Sequence, residues 1–213
     1  MKYPGVLITF EGGEGAGKTT LMEKLFVHLQ SQNIPILQTR APGGTVIGKA
    51  IRSLVLDHRE QTLSKRAELL LYLSDRAQHV DEVILPALKR NEVILCDRFN
   101  DSTVAYQGGA RGFDEEWVRT LCTFACEGVN PDLTLYLDLD PRVGFARIQQ
   151  AGMSKDRIES EAIEFHEKIR RAFHQIAQKE PKRFHLLDAS RSPEEVFQQA
   201  VEKIDALLQS ARK

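Results

Sequence analysis

Glycine, lysine and threonine at one fixed spacing are the first residues of this chain whose types could do chemistry. Gly12-x-x-x-x-Gly17-Lys18-Thr19 fits the phosphate-binding loop pattern G-x-x-x-x-G-K-[ST]. Within it stand Gly13, Glu14, Gly15 and Ala16, and Thr20 follows. Glycines let successive backbone N–H groups turn toward a single anion. A helix opening at Lys18 adds unpaired N–H groups and the positive end of its dipole. Lys18 would then reach the β- and γ-phosphates of a nucleoside triphosphate, and the Thr19 hydroxyl would ligate Mg²⁺. The alternative is a glycine-rich turn with a solvated lysine. It fits less well, because an apolar run, Val6 to Phe10, precedes the loop and an amphipathic stretch follows it.

A second set of charged residues stands where apolar runs end. Asp97 and Arg98 follow Val93-Ile94-Leu95-Cys96, and Arg40 follows Ile34 to Thr39. Asp97 can hold Mg²⁺ through water, or it is a capping or salt-bridged aspartate. Arginines facing a phosphate loop suggest an acceptor that is itself anionic, since bringing a γ-phosphate up to a second phosphate requires cations to offset the repulsion. A phosphate acceptor also needs no protein base, because its second pKa of about 6 leaves it mostly dianionic at neutral pH. Catalysis would then rest on positioning and electrostatics.

The elements that must position these residues alternate between strand and helix. Expected strands are Val6–Glu11, Ile34–Thr39, Val93–Cys96, Leu133–Leu137 and Phe184–Leu187. Expected helices are Thr20–Gln30, Val46–Leu56, Ser64–Lys89 kinked or ended by Pro86, Glu115–Cys126, Pro141–Gln150, Ile158–Gln178 and Pro193–Leu208. The stretch with Gly108, Gly109 and Gly112 reads as a loop, and Ala151–Lys155 as a flexible break. The continuous apolar runs predict an α/β fold, a doubly wound five-stranded parallel sheet flanked by helices. Ligands of such sheets bind beyond the carboxyl ends of the strands. The phosphate loop, the Arg40 loop, Asp97-Arg98, the segment after Asp138 and the Asp188 turn are therefore expected at one edge.

Composition narrows the classes. At 213 residues the expectation is one domain over 1–213, with a small lid at about 147–158. A formal net charge of −1 gives no basic field for nucleic acid or a membrane surface. Three cysteines make no disulfide framework, and no Cys/His set has metal-ligand spacing. No signal-peptide pattern heads the sequence and no apolar run approaches the ~20 residues of a membrane span, so the chain reads as cytoplasmic.

Several segments together resemble the bacterial thymidylate (dTMP) kinase family, over nearly the whole length. They are Phe10 to Thr20, Pro42-Gly43-Gly44-Thr45, Asp97-Arg98-Phe99, Ser102-Thr103-Val104-Ala105-Tyr106-Gln107-Gly108, Pro131 to Asp138 and Asp156-Arg157-Ile158-Glu159. The resemblance implies MgATP as donor, dTMP as acceptor and a homodimer packed through helices. It implies that Arg98 grips the acceptor 5′-phosphate, with Glu14 near the sugar and that arginine. Tyr72 matches an aromatic that stacks on thymine, and Arg76, one turn on, an arginine that bonds its O4. Core packing is the alternative for Tyr72. Ser102, Tyr106 and Gln107 match the loop lining the base and sugar pocket, with Tyr106 on the ribose 2′ side. Asp188-Ala189-Ser190 resembles the turn near the adenine.

The pattern departs in two places. Ala41 stands where the family commonly has glutamate in Arg-Glu-Pro-Gly-Gly-Thr. Gly15 stands where some relatives place a catalytic arginine, so the lid should supply that cation, from Arg147 or Arg157, unless these pair with carboxylates such as Glu159. The competing readings are a phosphate-loop kinase for another small acceptor and a nucleotide-dependent regulatory module. Asn-Lys-x-Asp, the guanine reader of GTP-dependent switches, is absent from the sequence.

Overall fold

In the computed structural model, which describes residues 3–58, 60–152 and 154–211, five parallel strands form one sheet in the order β2-β3-β1-β4-β5. They are β1 (Val6–Gly12), β2 (Ile36–Arg40), β3 (Val93–Asp97), β4 (Leu133–Asp138) and β5 (Phe184–Asp188). The helices are α1 (Lys18–Ser31), α2 (Val46–Leu56), α3 (Lys65–His79), α4 (Leu85–Lys89), α5 (Asn100–Thr103), α6 (Glu115–Ala125), α7 (Pro141–Gln150), α8 (Ile163–Lys179) and α9 (Pro193–Ala211). The expected α/β fold with a five-stranded parallel sheet is the one observed.

Every residue of β1 is buried, and its side chains alternate between the two faces. Val6, Ile8 and Phe10 pack with Leu21, Leu25 and Leu29 of α1 and with Ala200 and Ile204 of α9. Leu7 faces the other way, with Ile94 and Cys96 of β3, onto Val80, Ile84 and Leu88. Beside them Tyr136 stacks on Phe173 of α8, ring centroids 4.6 Å apart. The register carries this order to the sheet's carboxyl edge. Arg40 and Asp97 are direct partners, Gly12 lies opposite Leu137, and Asp138 lies opposite Asp188. The loops expected to converge therefore do.

Three expectations are corrected. Of the two alternatives at Pro86, a kink or an end, the end is excluded: α3 passes through a π-helical segment, Val80–Ile84, into α4. Proline lacks a donor N–H and crowds the carbonyl four residues back. The chain meets this with a wider π turn directly before Pro86, in which the Leu85 amide donates to the Val80 carbonyl. The stretch 100–110 is not a loop but α5 running into a second π segment, Val104–Ala110. Here tertiary packing overrides weak propensity: a Cβ on Gly109 would lie 2.5 Å from that of Ala172, so glycine lets this segment press against α8. Helix α8 begins at Ile163 rather than Ile158. Asp156 Oδ1 accepts the amides of Ile158 and Glu159, both at 2.8 Å, and Glu159 Oε2 accepts the Asp156 amide at 2.9 Å. That closed turn holds 156–159 out of helix. Of the expected flexible break, Met153 lies outside the described residues.

Candidate active site

Helix α1 starts with a bare N-terminus: no side chain caps it and its first turn holds no acid. Its N–H groups are thus left for an anion. Lys18 Nζ is buried and donates to the carbonyls of Gly12 and Gly13, each at 3.0 Å. Those bonds fold the ammonium back onto the loop. Burial, with Arg98 nearby, lowers its pKa below the usual lysine range. Gly15 has φ +69°, and a Cβ there would lie 2.3 Å from the Gly144 carbonyl oxygen. Backbone of α7 lies directly on the loop, leaving no room at Gly15 for any side chain.

Across from the loop, Arg98 follows β3 with φ +67°, an uncommon conformation for a residue with a side chain. The turn is held by Glu11, which is fully buried at the end of β1. Its Oε1 accepts the Phe99 amide at 2.7 Å and the Ser102 amide at 3.3 Å, and its Oε2 accepts the Ser102 hydroxyl at 2.5 Å. Burial, with Asp101 beside it, pushes the Glu11 pKa up to about 7. The turn sends the Arg98 guanidinium between Glu14, with which it forms an ion pair, and Ser102 Oγ at 3.3 Å, 5.3 Å from the centre of the Tyr106 ring. Burial raises the Glu14 pKa, but Lys18 and Arg98 outweigh it and hold the carboxylate at about 2.

Arg76 is buried, its guanidinium 4.4 Å from the centre of the Phe99 ring, and its Nε has no hydrogen-bond partner. Tyr72 is half-buried one turn before it. Asp97 Oδ1 is likewise buried and unpartnered. These residues line a cavity of about 470 Å³ that takes in Glu14 to Thr20, Arg40, Tyr72, Asp97, Ser102 and Gln107. A second cavity, of about 400 Å³, opens on the other side of Gly15–Gly17 and Thr20 and is bounded by Lys24, Arg147, Ala189 and Arg191. Two cavities meeting at one phosphate loop suit the direct transfer of a group from a ligand in one to a ligand in the other.

The structure brings together Lys18, Thr19, Arg40, Tyr72, Arg76, Asp97, Arg98, Ser102, Tyr106 and Gln107, and it separates the two lid arginines. Arg147 reaches the phosphate loop, donating to the carbonyls of Gly15 and Ala189, each at 3.2 Å. Arg157 is held away from it by Glu68 at 2.5 Å and the Val55 carbonyl at 2.8 Å. Its carboxylate partner is Glu68 rather than Glu159. Sequence reasoning missed Glu11, Glu68 and Arg52, the last of which donates to the Pro42 carbonyl at 3.0 Å and lines the first cavity. One signal was available: Glu68, Tyr72 and Arg76 stand four apart and so share one face of the helix, with Leu69, Leu70, Leu71 and Leu73 between them.

The thymidylate kinase family model matches residues 10–200. The chain belongs to that family. It is 46% identical over 211 residues to the thymidylate kinase of Protochlamydia amoebophila, covering 96% of this chain and 94% of that one. To the thymidylate kinase of Desulfovibrio desulfuricans it is 49% identical over 209 residues, covering 95% and 96%. It is also similar to the crystal structure of thymidylate kinase from Ehrlichia chaffeensis, with a TM-score of 0.75, 30% identity, and coverage of 94% of this chain and 98% of that one. The resemblance on the chain's own segments is thus borne out. Among the described residues, no helix is long and apolar enough to cross a membrane.

Proposed function

We propose that the cavity holding Arg98 and Arg76 takes dTMP and that the one bounded by Arg147 takes the nucleoside of ATP, the phosphate loop lying between them. The reaction is the phosphorylation of dTMP to dTDP. The observation that carries the assignment is the Arg98 turn: a buried carboxylate holds a left-handed backbone so that one guanidinium faces the loop. A phosphate bound there displaces nothing costly, because Arg98 keeps Glu14 and Ser102 as partners and has further N–H groups to offer.

Tyr72 stacks on the base and Arg76 donates to its O4. Ser102, Tyr106 and Gln107 enclose the sugar and base, and Arg40 and Arg52 add positive charge at the rim. Gly12 to Thr20 cradle the triphosphate, with Lys18 on the β- and γ-phosphates. The Thr19 hydroxyl and the unpartnered Asp97 oxygen fit Mg²⁺, an ion that keeps waters and substrate phosphates among its ligands. When bound, that ion would neutralise charge on the triphosphate. The acceptor phosphate is already a dianion, so no residue has to remove a proton. The work left to the chain is alignment and offsetting repulsion. Of the two lid arginines, Arg147 is the one that reaches the loop, through the Gly15 carbonyl, and it is our candidate for offsetting charge on the triphosphate, while Arg157, bound to Glu68, fastens the lid segment 147–158 to α3.

The family's homodimer has a candidate face here. Helices α2, α3 and α6 pack in a row and expose Val46, Ile47, Leu70 and Phe124, the last 85% accessible. A cluster of this kind suits a partner surface. Sedimentation velocity should give a particle of twice the chain mass, reduced to one chain by Phe124→Asp.

The assay for the reaction is coupled ADP release with MgATP and dTMP, dUMP, dCMP, dGMP, deoxythymidine or shikimate as acceptor. The proposal requires dTMP to be the best acceptor. Greater turnover with an unphosphorylated acceptor would point to the other kinase reading, and no turnover, with partner binding that depends on nucleotide, to a regulatory module.

A further inference from the structure

Glu68 lies outside the acceptor cavity and touches no predicted ligand, yet it is among the most enclosed charged groups of the chain, 2% exposed. Three side chains from three segments converge on it. Gln107 Nε2 donates to Oε1 at 2.8 Å, Arg111 donates to both oxygens at 2.9 and 3.2 Å, and Arg157 Nη2 donates to Oε2 at 2.5 Å. Burial alone would favour the protonated acid, but these hydrogen bonds outweigh it and keep the pKa below the usual range. An ionised carboxylate only accepts. Gln107 must therefore turn its NH₂ toward Glu68, whichever way an unconstrained amide would lie. That leaves its carbonyl oxygen on the opposite side, buried, without a hydrogen-bond partner, on a residue that lines the acceptor cavity.

We infer that Glu68 is a positioning residue that fixes the Gln107 amide with its acceptor oxygen toward the bound base. The inference rests on the acceptor reading given above. A cavity wall that presents an acceptor suits a base edge carrying a donor, as N3–H of thymine does, and leaves two acceptors facing each other with cytosine, whose N3 has no hydrogen. Arg111 and Arg157 take part at one remove, since two cations on Glu68 keep it ionised and so keep the amide from turning. The row Glu68, Tyr72, Arg76 then reads as one device along α3: orient the wall, stack the base, bond its O4.

The test is Glu68→Gln. An amide at 68 can offer its own NH₂ to Gln107, which frees the Gln107 amide to turn over and present a donor to the base. The ratio of kcat/KM for dTMP to that for dCMP is expected to fall about tenfold or more, the scale of one hydrogen bond made or mismatched against a base. Glu68→Asp remains an acceptor only, and should keep the ratio within about threefold of the unsubstituted enzyme even if turnover drops. A role confined to holding the fold together would lower both acceptors alike and leave the ratio unmoved. Gln107→Leu provides a second test that does not depend on position 68: its ratio should fall as well, and adding Glu68→Gln to it should change the ratio no further. An unchanged ratio in Glu68→Gln or in Gln107→Leu overturns the inference. Absence of dTMP turnover in the unsubstituted chain would instead refute the acceptor reading.

Discussion

Replacing Arg98 by alanine should separate acceptor binding from donor binding. The wild-type guanidinium is shared among Glu14, Ser102 and, in the proposed complex, the acceptor phosphate. A hydrogen bond to a charged group contributes about 1.5–3 kcal/mol, so losing two to the phosphate costs roughly 3–6 kcal/mol. At ~1.4 kcal/mol per decade, kcat/KM for dTMP should fall by about 10²–10⁴. KM for ATP should move only a few-fold, because Lys18 and the α1 amides do not depend on Arg98 for their contacts. The substitution also leaves the half-buried Glu14 with Lys18 as its main remaining cation, a loss that would appear as lower thermal stability. Adding Glu14→Gln removes that orphaned charge. The double variant should recover stability without recovering kcat/KM. Steady-state kinetics at varied dTMP and varied ATP, with a thermal melt of each variant, reads all three quantities. A fall in kcat/KM for dTMP of less than tenfold, or an equal rise in KM for ATP, would refute the placement of Arg98.

Other predictions follow from the same geometry. Glu11, with its pKa near 7 against an ordinary 4.5, binds a proton more tightly in the folded chain. It therefore makes stability fall as pH rises from about 4.5 to 7, by roughly 3 kcal/mol for that group alone. Urea denaturation of wild type and Glu11→Gln should show the wild type losing ground relative to the variant from pH 5 to pH 8; a constant difference would contradict this. Glu14 acts in the opposite sense and in a lower window, its stabilisation being lost as pH falls from about 4.5 toward 2. Gly15→Arg should not supply a catalytic cation but push α7 off the loop, lowering kcat by tenfold or more; a variant of normal or raised kcat would show that the loop tolerates a side chain. Arg147→Ala should lower turnover at least tenfold with little effect on stability. Arg157→Ala should act mainly on stability, by about 1.5–3 kcal/mol, because it strips one charged hydrogen bond from buried Glu68 while Arg111 and Gln107 remain on it. If neither lowers turnover tenfold, the lid arginines do not assist transfer.

Much of this arrangement was legible before any coordinates. The strand runs Val6–Phe10, Val93–Cys96 and Leu133–Leu137 hold no charged residue and are mostly apolar, which places them inside a parallel sheet, and the sheet-edge rule then brings Arg40, Asp97 and the phosphate loop together. The segments that read wrongly are those in which packing outweighs local preference. Gly108 and Gly109 look like loop residues, yet Gly109 is helical because Ala172 lies against it. Residues 156–159 look helical, yet Asp156 and Glu159 bond each other's backbone instead. Glu11 and Glu68 were missed for a different reason. A carboxylate that supports another side chain has no motif of its own, and its partners, Ser102 at one site and Gln107 with two arginines at the other, lie 91 and at least 39 residues away in sequence.

The claim on which the rest depends is that a phosphate, held by Arg98, receives the γ-phosphoryl group directly. Phosphorus-31 NMR of a mixture of the enzyme, MgATP and dTMP tests it in one spectrum. The account predicts the paired α and β resonances of dTDP growing in step with those of ADP, with little inorganic phosphate. Inorganic phosphate accumulating in step with ADP while the dTMP signal stays unchanged would contradict it.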